Sequence, residues 1–286
     1  MAAAASPALT GPLVAITLFA ALLHATWNAM AHTVSDRLVG FGLIGLAYTV
    51  VGGAAAMVLG PPPAWVWPYV LASAALHVVY NLMLLASFQL GEFSQVYPIA
   101  RGTAPWLVAL VEVTLLGRSL PTWQLVGVLV ISTGLVSLAL DGGRPSRRQL
   151  PAIGAAVATG VCIASYTVVD AQAVAATDVL GYAAWMFLLQ GPWLPLVAVA
   201  VRRRAVATAG LSTVSRGLLG GVVSLAAYGL VLYAQTSGAT AAVAALRESS
   251  IVFGAIIGSL VLGEGFGRSR IAAAAVVVTG IALINF

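Results

Sequence analysis

Apolar residues in this chain fall into ten long runs, each closed by a short polar break. A helix that crosses the hydrocarbon core of a bilayer needs about 20 mainly apolar residues, and the runs meet that length. They cover residues 13–31, 39–59, 67–88, 94–116, 122–140, 151–172, 180–200, 217–236, 241–262 and 270–285. The breaks carry turn chemistry: Gly60-Pro61-Pro62-Pro63, Gly91-Glu92, Asp141-Gly142-Gly143-Arg144-Pro145 and Ser237-Gly238. No break can hold a soluble domain. The longest, 201–216, contains Arg202, Arg203, Arg204 and Arg216 and reads as a headgroup-facing connection. Ala29-Met30-Ala31 resembles a signal-peptidase site, but no basic segment precedes the first run, and His24, Trp27 and Asn28 interrupt it. The first run is therefore read as a helix of the mature protein.

Composition agrees. Of 286 residues, 61% are hydrophobic and 7% charged, against roughly 25% charged in a soluble domain, and the mean hydropathy is +1.03. A soluble globule is excluded; the solvent is lipid. The thirteen basic residues are all Arg, against eight acids. Most of them sit in the breaks, where they meet headgroups and form no stripe for nucleic acid. The lone Cys162 permits no internal disulfide. No Gly-rich loop ending in Gly-Lys-Ser/Thr is present, so a nucleotide-driven pump is not expected. Nothing in the composition asks for a cofactor, and no metal-ligand cluster is apparent. Lys-free, Ala- and Arg-rich usage fits a GC-rich bacterial genome, hence a multi-pass protein of the bacterial plasma (inner) membrane.

The chain repeats itself. A shift of 146 places Arg101 on Arg247, Thr103 on Ser249, Ala109 on Ala255, Leu116-Gly117 on Leu262-Gly263 and Thr133-Gly134 on Thr279-Gly280. Small changes of offset extend the match: Tyr80 to Tyr228, Ala86 to Ala234, Gly40-Phe41 to Gly181-Tyr182, and Ala25-Thr26-Trp27 to Ala164-Ser165-Tyr166. The expected architecture is an all-α polytopic membrane protein of ten transmembrane helices in two five-helix repeats, residues 1–145 and 146–286. Five crossings are an odd number, so the second repeat is inverted and relates to the first by an axis in the membrane plane. That is the build of an alternating-access carrier, with its site between the halves near mid-bilayer.

The segments His24-Ala25-Thr26-Trp27-Asn28, Tyr97-Pro98-Ile99-Ala100-Arg101-Gly102, Tyr166-Thr167-Val168-Val169-Asp170 and Leu246-Arg247-Glu248-Ser249-Ser250, with Leu262-Gly263-Glu264, resemble the EamA-type permeases of the drug/metabolite transporter superfamily. The resemblance spans the chain and implies ten helices, inverted repeats and export or exchange of small metabolites. It does not name a substrate. The first run lacks the carboxylate that couples drug to protons in the small multidrug-resistance relatives.

Ionisable groups in a membrane helix cost roughly 2.5–3.5 kcal/mol on insertion scales and face cavities or partners. Arg101 and Arg247 head that group, and because their helices run oppositely they could frame an anion from both sides. Arg101 has no acid beside it in sequence, whereas Arg247 has Glu248 and could also reach Asp170. Four pairs stand four residues apart on one helical face: His24 and Asn28, His77 and Asn81 with Tyr80 between, Tyr97 and Arg101, Tyr166 and Asp170. Trp27, Tyr228 and Ser249 complete the expected substrate-binding set. Asp170 and Glu248 are the proton-coupling candidates, with His24 as an alternative. Pro98 and Pro105 predict a kinked or locally unwound fourth helix. Glu112, about 16 Å along the axis from Arg101, reads as snorkelling, and Gly254/Gly258 as a packing pair.

The expected activity is secondary transport of a small polar metabolite, anionic or zwitterionic such as an amino acid, by a monomer or homodimer that uses a proton or counter-solute gradient. The alternatives are an intramembrane enzyme acting on a lipid or peptide, for which His24 and His77 lack a nucleophile motif, and a non-transporting assembly factor. Orientation draws two answers. Arg37, Arg144, Arg147, Arg148, Arg202, Arg203, Arg204, Arg216, Arg268 and Arg270 fall on one side and only Arg118 on the other, which places both termini outside; the family resemblance implies both inside.

Overall fold

The computed structural model describes residues 9–91, 93–139, 146–260 and 268–284. Leu262-Gly263-Glu264, the Asp141–Pro145 turn with Arg144, and the end of the tenth run at Asn285 lie outside them. The fold is all-helical: α1 (Gly11–His32), α2 (Arg37–Leu59), α3 (Trp67–Leu90, entered by a 3₁₀ turn over Ala64–Val66), α4 (Phe93–Thr114), α5 (Thr122–Ala139), α6 (Leu150–Val174), α7 (Val179–Gln190), α8 (Trp193–Val201), α9 (Arg203–Ala207), α10 (Leu211–Gln235), α11 (Thr240–Arg247), α12 (Ser250–Leu260) and α13 (Arg268–Ile284). Local chemistry marks the ends. Asp36 caps α2 by accepting from Leu38 N and Val39 N at 3.0 and 3.2 Å, and Asp178 caps α7 by accepting from Gly181 N at 2.6 Å. Proline stands in the first turns of α1, α3 and α6. Gly60, at φ +73°, turns the chain out of α2.

Helix occupies every predicted run, with three differences. Run 180–200 is cut into α7 and α8 at Gly191-Pro192, where proline withholds a backbone donor. Run 241–262 is cut into α11 and α12 with neither Gly nor Pro at the break. There Glu248 N and Ser249 N each reach back only three residues, to Ala245 O and Leu246 O at 3.0 Å, a 3₁₀ tightening of the kind that marks hinges. The 201–216 connection contains the short α9. Conversely, α4 runs unbroken through Pro98 and Pro105, so the expected unwinding is not seen.

Six helical stretches among the described residues are long and apolar enough to cross a membrane: Gly11–Ala31, Arg37–Leu59, Ala64–Leu90, Leu150–Val174, Val179–Val201 and Leu211–Gln235. Val50, Met57, Val58, Leu211 and Leu260 stand exposed on the outer surface, which suits lipid and not water. This is a membrane protein with multiple apolar helices.

Packing pairs α3 with α6 and α1 with α10, α4 with α6 and α1 with α11 and α12, α5 with α13, and α2 with α7 and α8. Small residues bring these helices close. A Cβ on Gly127 of α5 would lie 2.6 Å from Gly280 O of α13, and one on Gly280 would lie 2.9 Å from Gly127 O. The Ala-rich α11 is the most enclosed element, buried from Ala239 through Ser250, and it carries Arg247 to the centre.

Candidate functional site

A cavity opens between α1, α2, α3, α6, α7, α10 and α11. Its lining falls near helix midpoints: Tyr48 in the 23-residue α2, His77 and Tyr80 in the 24-residue α3, Ser224 to Tyr228 in the 25-residue α10. The cavity therefore sits about midway along these helices. Its volume is about 50 Å³, room for several waters or a small solute.

Most of the expected binding residues meet here. His24 and Trp27 line the wall from α1, with Trp27 Nε1 donating to His24 Nδ1 at 3.2 Å. From α3 come His77, Tyr80 and Asn81, and from α6 and α10 come Tyr166 and Tyr228. His77 stacks on Tyr166 with centroids 3.9 Å apart and meets Tyr228 edge-on at 5.1 Å. Its Nδ1 lies 2.9 Å from Ser73 O and 3.2 Å from Ser73 Oγ. Arg247 closes the wall from α11. It is 3% exposed, and its Nε and Nη2 find no hydrogen-bond partner among the described residues.

The remaining expected residues do not line this cavity. Arg101 is buried beside it in an ion pair, its Nε 2.8 Å from Glu248 Oε2, and its Nη2 donates to Ser250 Oγ at 2.9 Å and to Arg247 O at 3.5 Å. The charge assignment read from sequence adjacency is thus exchanged. Glu248 follows Arg247 along the chain, but as the C-cap of α11 it turns to Arg101 of α4, and Arg247 makes no ion pair within 4 Å among the described residues. Tyr97 places its ring 5.9 Å from the Arg101 guanidinium. Ser249 is buried at the helix break. Asn28 spends its amide on its own helix, Nδ2 donating to His24 O at 2.7 Å; Asn81 does the same to His77 O at 2.7 Å, yet still borders the cavity. The four-residue spacings of these two pairs thus reflect side chains bonded back to their own turns.

Asp170 is fully buried behind the cavity wall. Tyr182 OH donates to Oδ1 at 2.6 Å and Tyr228 OH donates to Oδ2, so both oxygens are taken. Glu112 does not snorkel. It is fully buried, Oε1 accepting from Arg118 Nη1 at 2.9 Å and Oε2 from Ala241 N at 3.1 Å, which pins the start of α11. Sequence reading missed Tyr48, Phe187, Gln190 and Ser224. Tyr48 and Ser224 share a 2.6 Å hydrogen bond, and both line the cavity; Ser224 stands four residues before Tyr228, a spacing that could have marked it, whereas Tyr48 has no such partner on its helix.

Membrane-length helices enclose a central, partly polar cavity bordered by Arg247. In the comparison with family models, residues 150–286, the stretch from α6 to α13, match the EamA-like transporter family. No curated protein matches the chain. One solved crystal structure covers 96% of this chain and 98% of its own at 20% identity, with a TM-score of 0.75. A likeness at that identity is one of fold.

Proposed function

We propose that this protein is a secondary transporter of the bacterial inner membrane that moves a small polar metabolite, anionic or zwitterionic, by alternating access. The observation that carries the reading is Arg247, buried on the central cavity with two unpartnered nitrogens. A buried guanidinium without a counter-ion is costly, and a solute that supplies one gains what the protein lacks. Ten crossings in two inverted repeats, 1–145 and 146–286, complete the proposal. The packing supports it: exchanging the halves turns α3 on α6 into α10 on α1, and α4 on α6 into α11–α12 on α1, as found. The α11–α12 and α7–α8 breaks fall near the middle of their predicted runs, as in carriers whose sites are built on broken helices. A proton or counter-solute gradient would drive the cycle.

The test is uptake of labelled carboxylates and amino acids into proteoliposomes, run with and without a pH gradient. Gradient-sensitive, saturable uptake that Arg247→Gln abolishes is the expected result. Uptake of no anion or zwitterion, or uptake indifferent to Arg247→Gln, rejects the proposal.

A further inference from the structure

We propose that the cavity selects small organic carboxylates that carry no ammonium group, with Arg247 as the residue that reads the carboxylate. The inference rests on the transporter reading and narrows it from anion or zwitterion to anion alone.

The charge inventory of the wall is one-sided. Arg247 lines it, while no Asp or Glu does among the described residues. The two acids nearest the cavity are committed elsewhere. Both oxygens of Asp170 accept tyrosine hydroxyls, and Glu248 faces Arg101 at 2.8 Å. An ammonium entering this space would lose its water, meet no negative charge and share the enclosure with a guanidinium. Aromatic faces are the remaining host for a cation; His77 and Tyr166 cover each other's faces at 3.9 Å, and the other lining rings share the enclosure with the guanidinium and have no acid beside them on the wall. A carboxylate meets the opposite situation. The free Nε and Nη2 of Arg247 form the guanidinium edge with two parallel N–H groups, the fork that fits a carboxylate. That edge is enclosed, so the carboxylate takes it as the lining rings part. An apolar body then lies among Trp27, Tyr80, Phe187 and Tyr228, and the narrow space keeps it small.

The experiment compares small ligands that differ only in the ammonium: propionate with alanine, and butyrate with 2-aminobutyrate. Propylamine serves as the cation control. Binding to the full-length protein in detergent is measured by calorimetry and thermal shift. The expected result is a Kd at least tenfold lower for the carboxylate of a pair than for its amino acid, and no binding of propylamine. Arg247→Gln should remove carboxylate binding, and Arg247→Lys should retain part of it. Because the comparison within a pair uses the native protein, a misfolded variant leaves it intact. An amino acid that binds as tightly as its carboxylate, or tighter, in an Arg247-dependent way overturns this narrowing and leaves the transporter reading standing. Binding of neither class overturns both.

Discussion

The ion pair between Arg101 and Glu248 gives the sharpest quantitative test of this architecture. It joins the middle of α4 to the break between α11 and α12, so it ties the first half of the chain to the second. At 2.8 Å and an effective dielectric of about 20, the Coulomb attraction is about 6 kcal/mol. Desolvation of two charges consumes most of it, so the pair itself adds little net stability. Removing one partner is different, because the other charge stays buried: the side chains are 3% and 0% exposed, and such a loss costs about 3–5 kcal/mol. Arg101→Gln and Glu248→Gln should each destabilise by that amount, and the double variant by less than the sum, with a coupling of about 2–3 kcal/mol. The control is the pair of Arg202 with Asp36, 3.1 Å apart but 51% and 31% exposed, for which Arg202→Gln should cost no more than about 1 kcal/mol. The assay is reversible unfolding in mixed micelles of mild detergent and dodecyl sulfate, read by tryptophan fluorescence. If Arg101→Gln and Glu248→Gln shift stability no more than Arg202→Gln does, the charges are hydrated and α11 is not enclosed as described.

Three further outcomes are expected. Gly127→Ala, whose Cβ would sit 2.6 Å from the Gly280 carbonyl, should cost about 1–3 kcal/mol because backbone cannot step aside; an unchanged melting temperature would show that α5 and α13 do not cross there. Glu112→Gln weakens the contacts to Arg118 and Ala241 N and should cost about 1–3 kcal/mol, with faster amide exchange at the start of α11; exchange as slow as in the native protein would remove Glu112 as its anchor. Tyr228→Phe deprives Asp170 Oδ2 of its donor and should cost about 1–3 kcal/mol; Asp170→Asn introduced on that background should then cost less than it does in the native protein, and equal costs would separate the two residues.

Helix extents were legible because a bilayer asks for long apolar runs and the chain supplies them between turns. α1, α2, α3 and α6 begin and end within a few residues of the predicted limits. The break at Gly191-Pro192 carries a local signal that the hydrophobic run overrode. That at Glu248-Ser249 carries none, since it arises where a fully buried half-helix tightens into 3₁₀ bonds. Within the site, the aromatic and histidine positions were found because polar rings in lipid are costly and therefore conspicuous. Arg101 was misjudged because its counter-ion stands 147 positions away in sequence, at Glu248.

What the sequence alone determined is the solvent, the helical class and the short inventory of groups that cannot face lipid. These follow from composition and run length, which are one-dimensional quantities. Tertiary structure decided which charge meets which. It gave Glu248 to Arg101 and two tyrosines to Asp170, and it left Arg247 on the cavity with unpartnered nitrogens. Pairing falls off within a few ångströms, and the helices that supply each partner are brought that close only by packing.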